Sequence, residues 1–461
     1  MRPRPRVAAL FSGAGGMSLG FHAAGCEIIS AVEIDPHARA THELNFAHRS
    51  IFYRAHTDIA RLRPADLVDP TLGPPDIIIA GPPCQPFSRV GRARIRAARS
   101  RADAAWLDDP RVSFLARTVR LIARLRPVAF VIENVPDLMR FGGRNLAEEI
   151  CERLAAGYRS RYFVLQAAWY GVPQYRERLF IAGIRREAGA GPSPPQATHR
   201  GRVPSGYLTS SPERVRSFAL GPARHLVTEI PAVPVPLPFV TVIEAIGDLP
   251  GAPVAERTGS GHIRFAPVAY PQVARLSVYA RLMRTWPGFE APAELRDHVT
   301  RLTPRDFPIF ARMRPGDEYP EAVRVAERIF QQAVRKAGNP PPGSHLWKEI
   351  RRATVPPYPV ETYPNRWWKL VPDAPSRTLT AHLGRDCYSH IHHAEPRTIS
   401  VREAARLQSF PDGYRFSGPF NARMRMIGNA VPPLLALAVA RQVLADSGLT
   451  EVPGAGAAAA V

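Results

Sequence analysis

Short apolar runs alternate with helical stretches over residues 6–184, and this pattern constrains the fold more than any other feature of the chain. Residues 7–10 form an apolar run that breaks on the glycines of FSGAGG, and residues 17–24 then have helical character. Residues 27–32 are apolar after the first, DIIIA (76–80) and VAFVI (128–132) are two further runs, and residues 114–125 space their apolar side chains at helical intervals. Runs this short are apolar throughout only when both faces are covered. The expectation is an α/β protein with a doubly wound, mostly parallel sheet. In such a sheet, ligands bind outside the carboxyl ends of the strands.

The texture changes after about residue 186. Residues 188–375 are rich in Pro, Arg and Gly, with segments such as PSPPQ, PAVPVPLP, NPPPG and VPPYP. Trp286, Trp347, Trp367 and Trp368 supply core-forming aromatics there, so the stretch reads as a folded, loop-rich insertion. Order returns at Arg377 (RTLTAHLGRD), continues through TISVREAARLQSFPDGY, and ends in an apolar helix over 433–444. The expected division is 1–187, the insertion 188–375, a hinge segment 376–421, a closing helical segment 422–446 and a frayed tail 447–461.

Charge narrows the partner class. The chain of 461 residues has 61 Lys and Arg against 40 Asp and Glu, a formal charge of +21, which makes a polyanion the default partner. Only Lys336, Lys348 and Lys369 are lysines, and Arg, Pro, Ala and Gly all have G+C-rich codons. Base composition therefore accounts for part of the excess, and placement counts for more than the total. The four cysteines are far apart with no CxxC pair, against both a zinc site and a disulfide framework, so no metal and a reducing cytoplasm are expected. No apolar run has the length of a membrane span, and no membrane partner is expected.

Several segments carry chemistry. In LFSGAGG, Gly13, Gly15 and Gly16 let backbone approach a ligand closely, and Glu33, twenty residues after Gly13, ends the next strand where a carboxylate can hold ribose hydroxyls. That pair alone fits NAD, FAD or S-adenosylmethionine. Asp58 in TDIA reads as a helix cap or as an acceptor for an adenine amino group. GPPCQPFS follows the DIIIA strand and sets Cys84 in a proline-stiffened loop at the sheet edge. Most free cysteines are inert core residues, but one aimed by flanking prolines suits a nucleophile. Arg89, Arg92, Arg94, Arg96, Arg99 and Arg101 follow it, either as a solvated loop or as phosphate contacts on a lid. Glu133 ends the VAFVI strand among apolar residues, where burial raises a carboxyl's pKa and suits it to give a proton to a ring nitrogen. Arg176 and Arg178 alternate with Glu177 and are expected on one strand face, able to hold a carbonyl or an acid.

In this order, FSGAGG, VEID, TDIA, GPPCQPFS, ENV, QYRERLF, RTLTAHLGRD, TISVREAARLQSFPD and IGNAVPP resemble the DNA cytosine-5 methyltransferase family, outside residues 188–375. The resemblance implies a fold that uses S-adenosylmethionine, with a smaller target-recognition domain in the insertion. It makes Cys84 the nucleophile, puts Glu133 on the cytosine's ring nitrogen 3 and amino group, puts Arg178 on its carbonyl and gives Arg176 a supporting role. The implied cofactor positions are Phe11, Gly13, Gly15, Gly16, Glu33, Ile34, Asp58, Ile59, Pro83, Phe114, Asn429 and Ala430. Gln85, Ser88, Arg89, Arg92, Arg94 and Arg96 are the implied DNA contacts. A monomer acting on double-stranded DNA in a bacterial cytoplasm is expected, either solitary or with a cognate restriction endonuclease. The alternatives are an RNA cytosine methyltransferase on the same scaffold, a nicotinamide oxidoreductase, and a non-catalytic DNA-binding relative.

Overall fold

A computed structural model of the protein describes residues 4–50, 53–83, 110–254, 265–272 and 275–449. The expected sheet is present. Strands β1 (Arg6–Leu10), β2 (Glu27–Val32), β3 (Arg54–His56), β4 (Ile77–Ala80), β5 (Ala129–Asn134), β6 (Tyr158–Gln166) and β7 (Glu177–Arg185) belong to it, whereas β8 (Ala197–His199) pairs separately with Ala232–Leu237. With β9 (Leu226–Val227) at its edge, the main sheet has the order β3-β2-β1-β4-β5-β7-β6-β9. The first five strands run parallel, and β7 runs antiparallel between β5 and β6. Strand order reverses at β1, which lies between β2 and β4, and this opens a crevice at the carboxyl edge. Val7 to Leu10 and the Ile77–Ala80 strand are buried on both faces, which explains their unbroken apolar sequence.

The C-terminal helix runs Pro433–Ser447, a turn longer than expected, and packs on Gly16–Ala23 and β7. A Cβ on Gly20 would lie 2.5 Å from that of Ala436, so the two helices meet at a distance only glycine allows. The apolar stretch Phe420–Ser447 is broken between helices Phe420–Asn429 and Pro433–Ser447 and is largely buried inside the protein.

The insertion is less separate than its texture suggests. β9, from within residues 188–375, pairs with β6 in the main sheet. Helices Val242–Ile246 and Val278–Arg284, with Trp286 and Phe289, share the same apolar cluster as the C-terminal helices. A distinct cluster is confined to Ile309, Phe310, Met313, Tyr319, Ala322, Val325, Ala326, Trp367 and Ile391. Trp286 and Trp367 therefore serve two different cores, while Trp347 is half-buried.

The segment expected as a hinge is tightly fastened. Helix Val401–Leu407 opens with a capping box between Ser400 and Glu403 and places three charged side chains in the interior. Arg397 makes two 2.7 Å bonds to Glu403, and Arg402 reaches Asp297 at 3.2 Å. Arg406, fully buried, bonds Asp412 at 2.6 and 2.7 Å and Asp248 at 3.0 and 3.3 Å. Removing one partner of such a cluster leaves buried charge uncompensated. Arg406→Ala is expected to cost about 3–5 kcal/mol, read as a lower urea midpoint at unchanged slope, and an unchanged midpoint refutes this account of the cluster.

Candidate active site

Register explains why distant motifs meet. Leu10 faces Val32 on one side and Ala80 on the other, and Ala80 faces Ile132. The residues next in the chain, Phe11, Glu33, Gly81 and Glu133, therefore stand in a row along the carboxyl edge. The antiparallel course of β7 brings its amino end to the same edge, with Asn134 opposite Leu179, and so delivers Arg178.

The three glycines of the first turn have different jobs. Gly13 has a left-handed φ of +56°, and a Cβ there would meet nothing within 4 Å, so its face is open to a ligand. A Cβ on Gly15 would strike the Tyr414 hydroxyl at 2.4 Å, and one on Gly16 the Val431 carbonyl oxygen at 2.1 Å. At Gly15 and Gly16 the absence of a side chain is also required by the C-terminal part of the chain, which packs against them. Phe11 also has a positive φ, of 54°, a conformation that costs a residue with a side chain energy and that clusters at ligand sites.

Glu33 accepts from the backbone amides of Gly13 and Asp35, both at 2.8 Å, and burial raises its pKa. Each carboxylate oxygen retains a lone pair for a further donor. Beside it, Ile34 is 70% exposed, an apolar surface next to a carboxylate. Asp58 follows β3 and accepts from the Ala60 amide at 2.8 Å, the local cap that its sequence also allowed. Ile59 is buried, and its carbonyl accepts from Arg117, which ties the helix Pro110–Leu125 to this loop. On that helix Phe114 packs its ring 5.9 Å from that of Phe11. Ala430 is buried while Asn429 is exposed at the end of the helix Phe420–Asn429.

Glu133 is buried, and Arg178 Nε lies 2.8 Å from its Oε1. Burial pushes the Glu133 carboxyl up, and the guanidinium groups of Arg178 and Arg176 offset only part of that rise. The two arginines do not share a target. Arg176 is fully buried and donates to the carbonyls of Leu379, Gly428 and Ala430, so it holds the IGNAV segment against β7 and acts on Glu133 through its charge. Asn134 donates to the carbonyl of Pro82 at 3.2 Å and so ties the ENV segment to the loop two residues before Cys84. Its role is legible only with both strands in place. Pro83 is half-buried at the edge, while Cys84, Gln85, Ser88, Arg89, Arg92, Arg94 and Arg96 lie outside the described residues. The other cysteines, Cys26, Cys151 and Cys387, are buried, and burial pushes the thiols of Cys151 and Cys387 up, that of Cys387 to about 11. Neither can supply a thiolate near neutral pH.

Residues 6–256 and 313–445 match the profile of C-5 cytosine-specific DNA methylases. The chain belongs to this family. It is 32% identical over 460 residues to the type II methyltransferase M.AgeI of Thalassovita gelatinovora, covering 94% of this chain and 98% of that protein. Over 451 residues it is 30% identical to the type II methyltransferase M.XorII of Xanthomonas oryzae pv. oryzae, covering 96% and 85%. A crystal structure of an Escherichia coli prophage-encoded protein shares the fold, with a TM-score of 0.63 and 22% identity over 96% of this chain and 99% of that one. The family match selects cytosine-5 methylation of DNA over the RNA-methyltransferase and nicotinamide readings of the same sheet.

The glycine geometry of this methylase yields a paired prediction. Gly16→Ala drives a Cβ into backbone and is expected to lower the thermal midpoint by several degrees. Gly13→Ala carries only the left-handed strain of about 1–2 kcal/mol but is expected to weaken S-adenosylmethionine binding, measured by calorimetry. Equal stability losses, or undiminished cofactor binding by the Gly13 variant, contradict the division of roles.

Proposed function

We propose that this methylase works through a covalent Cys84 adduct on a cytosine flipped out of duplex DNA, with S-adenosylmethionine as methyl donor. The observation that carries this reading is the row at the carboxyl edge: an open Gly13 turn, then Glu133 paired with Arg178, and Asn134 holding the carbonyl of Pro82 just before Cys84. The residues fit the cofactor. Glu33 would take the ribose hydroxyls, Ile34 and Phe11 would cover the adenine, Asp58 and Ile59 would flank it, and Gly13, Gly15, Gly16, Pro83, Phe114, Asn429 and Ala430 would complete the wall. When bound, the cofactor supplies an electrophilic methyl group on a sulfonium.

Carbon 5 of cytosine is a poor nucleophile, and the protein's task is to change that. The Cys84 thiolate forms a bond to carbon 6, and Glu133, whose raised pKa keeps its proton to higher pH than an ordinary carboxyl, gives that proton to ring nitrogen 3. Arg178 holds the ring carbonyl. Carbon 5 becomes enamine-like and takes the methyl group. Loss of the carbon 5 proton to a base then breaks the bond from Cys84 to carbon 6, the thiolate leaves, and the proton on ring nitrogen 3 returns to Glu133. A stacked base is out of reach, so the cytosine must be extruded at a cost of a few kcal/mol. Gln85, Ser88, Arg89, Arg92, Arg94 and Arg96 are assigned to the DNA contacts that offset this cost.

The type II relatives favour a modification enzyme that marks one short duplex sequence, read mainly from within residues 188–375, as the protective half of a restriction–modification pair in a bacterial cytoplasm. The protein is assigned as a monomer. Bisulfite sequencing of host DNA with and without the gene reports the target, and identical patterns refute the assignment. With tritiated S-adenosylmethionine and mixed genomic DNA, Cys84→Ala is expected to transfer no label, and retained label removes Cys84 from the mechanism. Glu133→Gln is expected to lower kcat by about 10²–10⁴-fold. Arg178→Ala removes the leading charge that holds Glu133 down, so the alkaline limb of its residual rate should move to higher pH. An unmoved limb separates Glu133 from the titration.

A further inference from the structure

Helix Tyr319–Lys336 buries Tyr319, Ala322, Val325, Ala326 and Phe330, a stripe at helical spacing that packs on Trp367 and Ile309. The opposite side carries Arg328, Gln331, Gln332 and Arg335, and Lys336 is the last residue of the helix, all of them exposed. A charged helix face is ordinarily just solvated, but two observations set this one apart. The neighbouring arginines are engaged: Arg324 with Glu321, Arg351 with Glu327, and Arg377 with Glu318. Among the described residues, Arg328, Arg335 and Lys336 have no such partner, and no acidic residue occurs between positions 328 and 336. Lysine is also scarce. Of the three in the chain, Lys369 is buried on the carbonyls of Phe310 and Met313, and the exposed two, Lys336 and Lys348, both belong to this helix and the helix His345–Thr354 beside it. A genome that writes its cations as arginine explains neither the clustering nor the missing acids.

The helix is rooted near the active site. Arg377 bonds Glu318 at its start and stacks on Trp368 at 3.5 Å, while the adjacent Thr378 donates to the carbonyl of Tyr175, three residues before Arg178. We propose that the exposed face of Tyr319–Lys336 is a docking surface for the phosphate backbone of duplex DNA. Arg328, Arg335 and Lys336 contact phosphates over a span of about 12 Å along the helix, and the amides of Gln331 and Gln332 lie between them. Neutralising phosphates releases counterions, which gives such contacts a measurable signature in salt.

The inference rests on the reading of the chain as a methylase of duplex DNA. The test is the triple variant Arg328→Gln, Arg335→Gln, Lys336→Gln, followed by fluorescence anisotropy with a short fluorescein-labelled duplex of mixed sequence across a salt series. The slope of log affinity against log salt is expected to become shallower by about 3, with the urea midpoint and S-adenosylmethionine affinity unchanged. The charge-conserving variant Arg328→Lys, Arg335→Lys is expected to keep the wild-type slope. An unchanged slope in the triple variant, or an equal loss in the lysine variant, overturns the proposal and leaves the face to an acidic protein partner. Wild-type protein that labels DNA while the triple variant keeps its slope refutes this surface alone. Wild-type protein that labels no DNA refutes the underlying reading as well.

Discussion

A guanidinium taken out of water needs acceptors in place of its hydration, and Arg176 finds three of them in carbonyls drawn from the far end of the chain. Its partners, Leu379, Gly428 and Ala430, belong to segments that lie beyond the whole insertion. The side chain thereby joins the strand carrying Arg178 to the segment carrying Asn429. Gln174, fully buried two residues earlier, does the same through Leu407, Gln408 and Leu379. These buried polar contacts bind the strand region around Arg178 to segments about two hundred residues or more further along the chain. An apolar contact of the same area would hold the halves together without fixing their register, whereas three carbonyls converging on one planar group allow a single alignment.

Much of the sheet and of the site was legible in the sequence because the relevant physics is local. A strand buried on both faces is apolar throughout, and a turn that needs positive φ uses glycine. What was not legible depends on contacts between residues far apart in sequence. Gly15 and Gly16 resemble Gly13 in sequence, yet they are fixed by Tyr414 and by the carbonyl of Val431. Arg176 and Arg178 alternate as substrate-facing residues should, yet one is interior. The proline-rich texture of residues 188–375 suggested a module apart, although β9 and Trp286 belong to the main body. Pro-rich, weakly periodic sequence reports the absence of long elements, not the boundary of a core.

Arginine illustrates the limits of composition. Arg176, Arg402 and Arg406 are buried in polar clusters and contribute to the net charge of +21 without facing any partner. Others stack on aromatic rings, as Arg366 does over Tyr358 at 3.7 Å and Arg423 over Phe265 at 3.8 Å. A total charge counts all of these equally with the few that remain unengaged. Only placement separates a cation that stabilises the fold from one that meets a polyanion.

The reversed direction of β7 has a consequence for how such an enzyme can change. The strand starts at the reacting edge and ends opposite Ala129, at the far edge of the sheet. The chain therefore leaves β7 at the edge away from Glu133 and Arg178, whereas at Ser376 it lies against Pro173 and Tyr175, beside the site. A change in chain length just after β7 therefore falls far from Glu133 and Arg178, whereas one just before Arg377 falls against Pro173 and Tyr175.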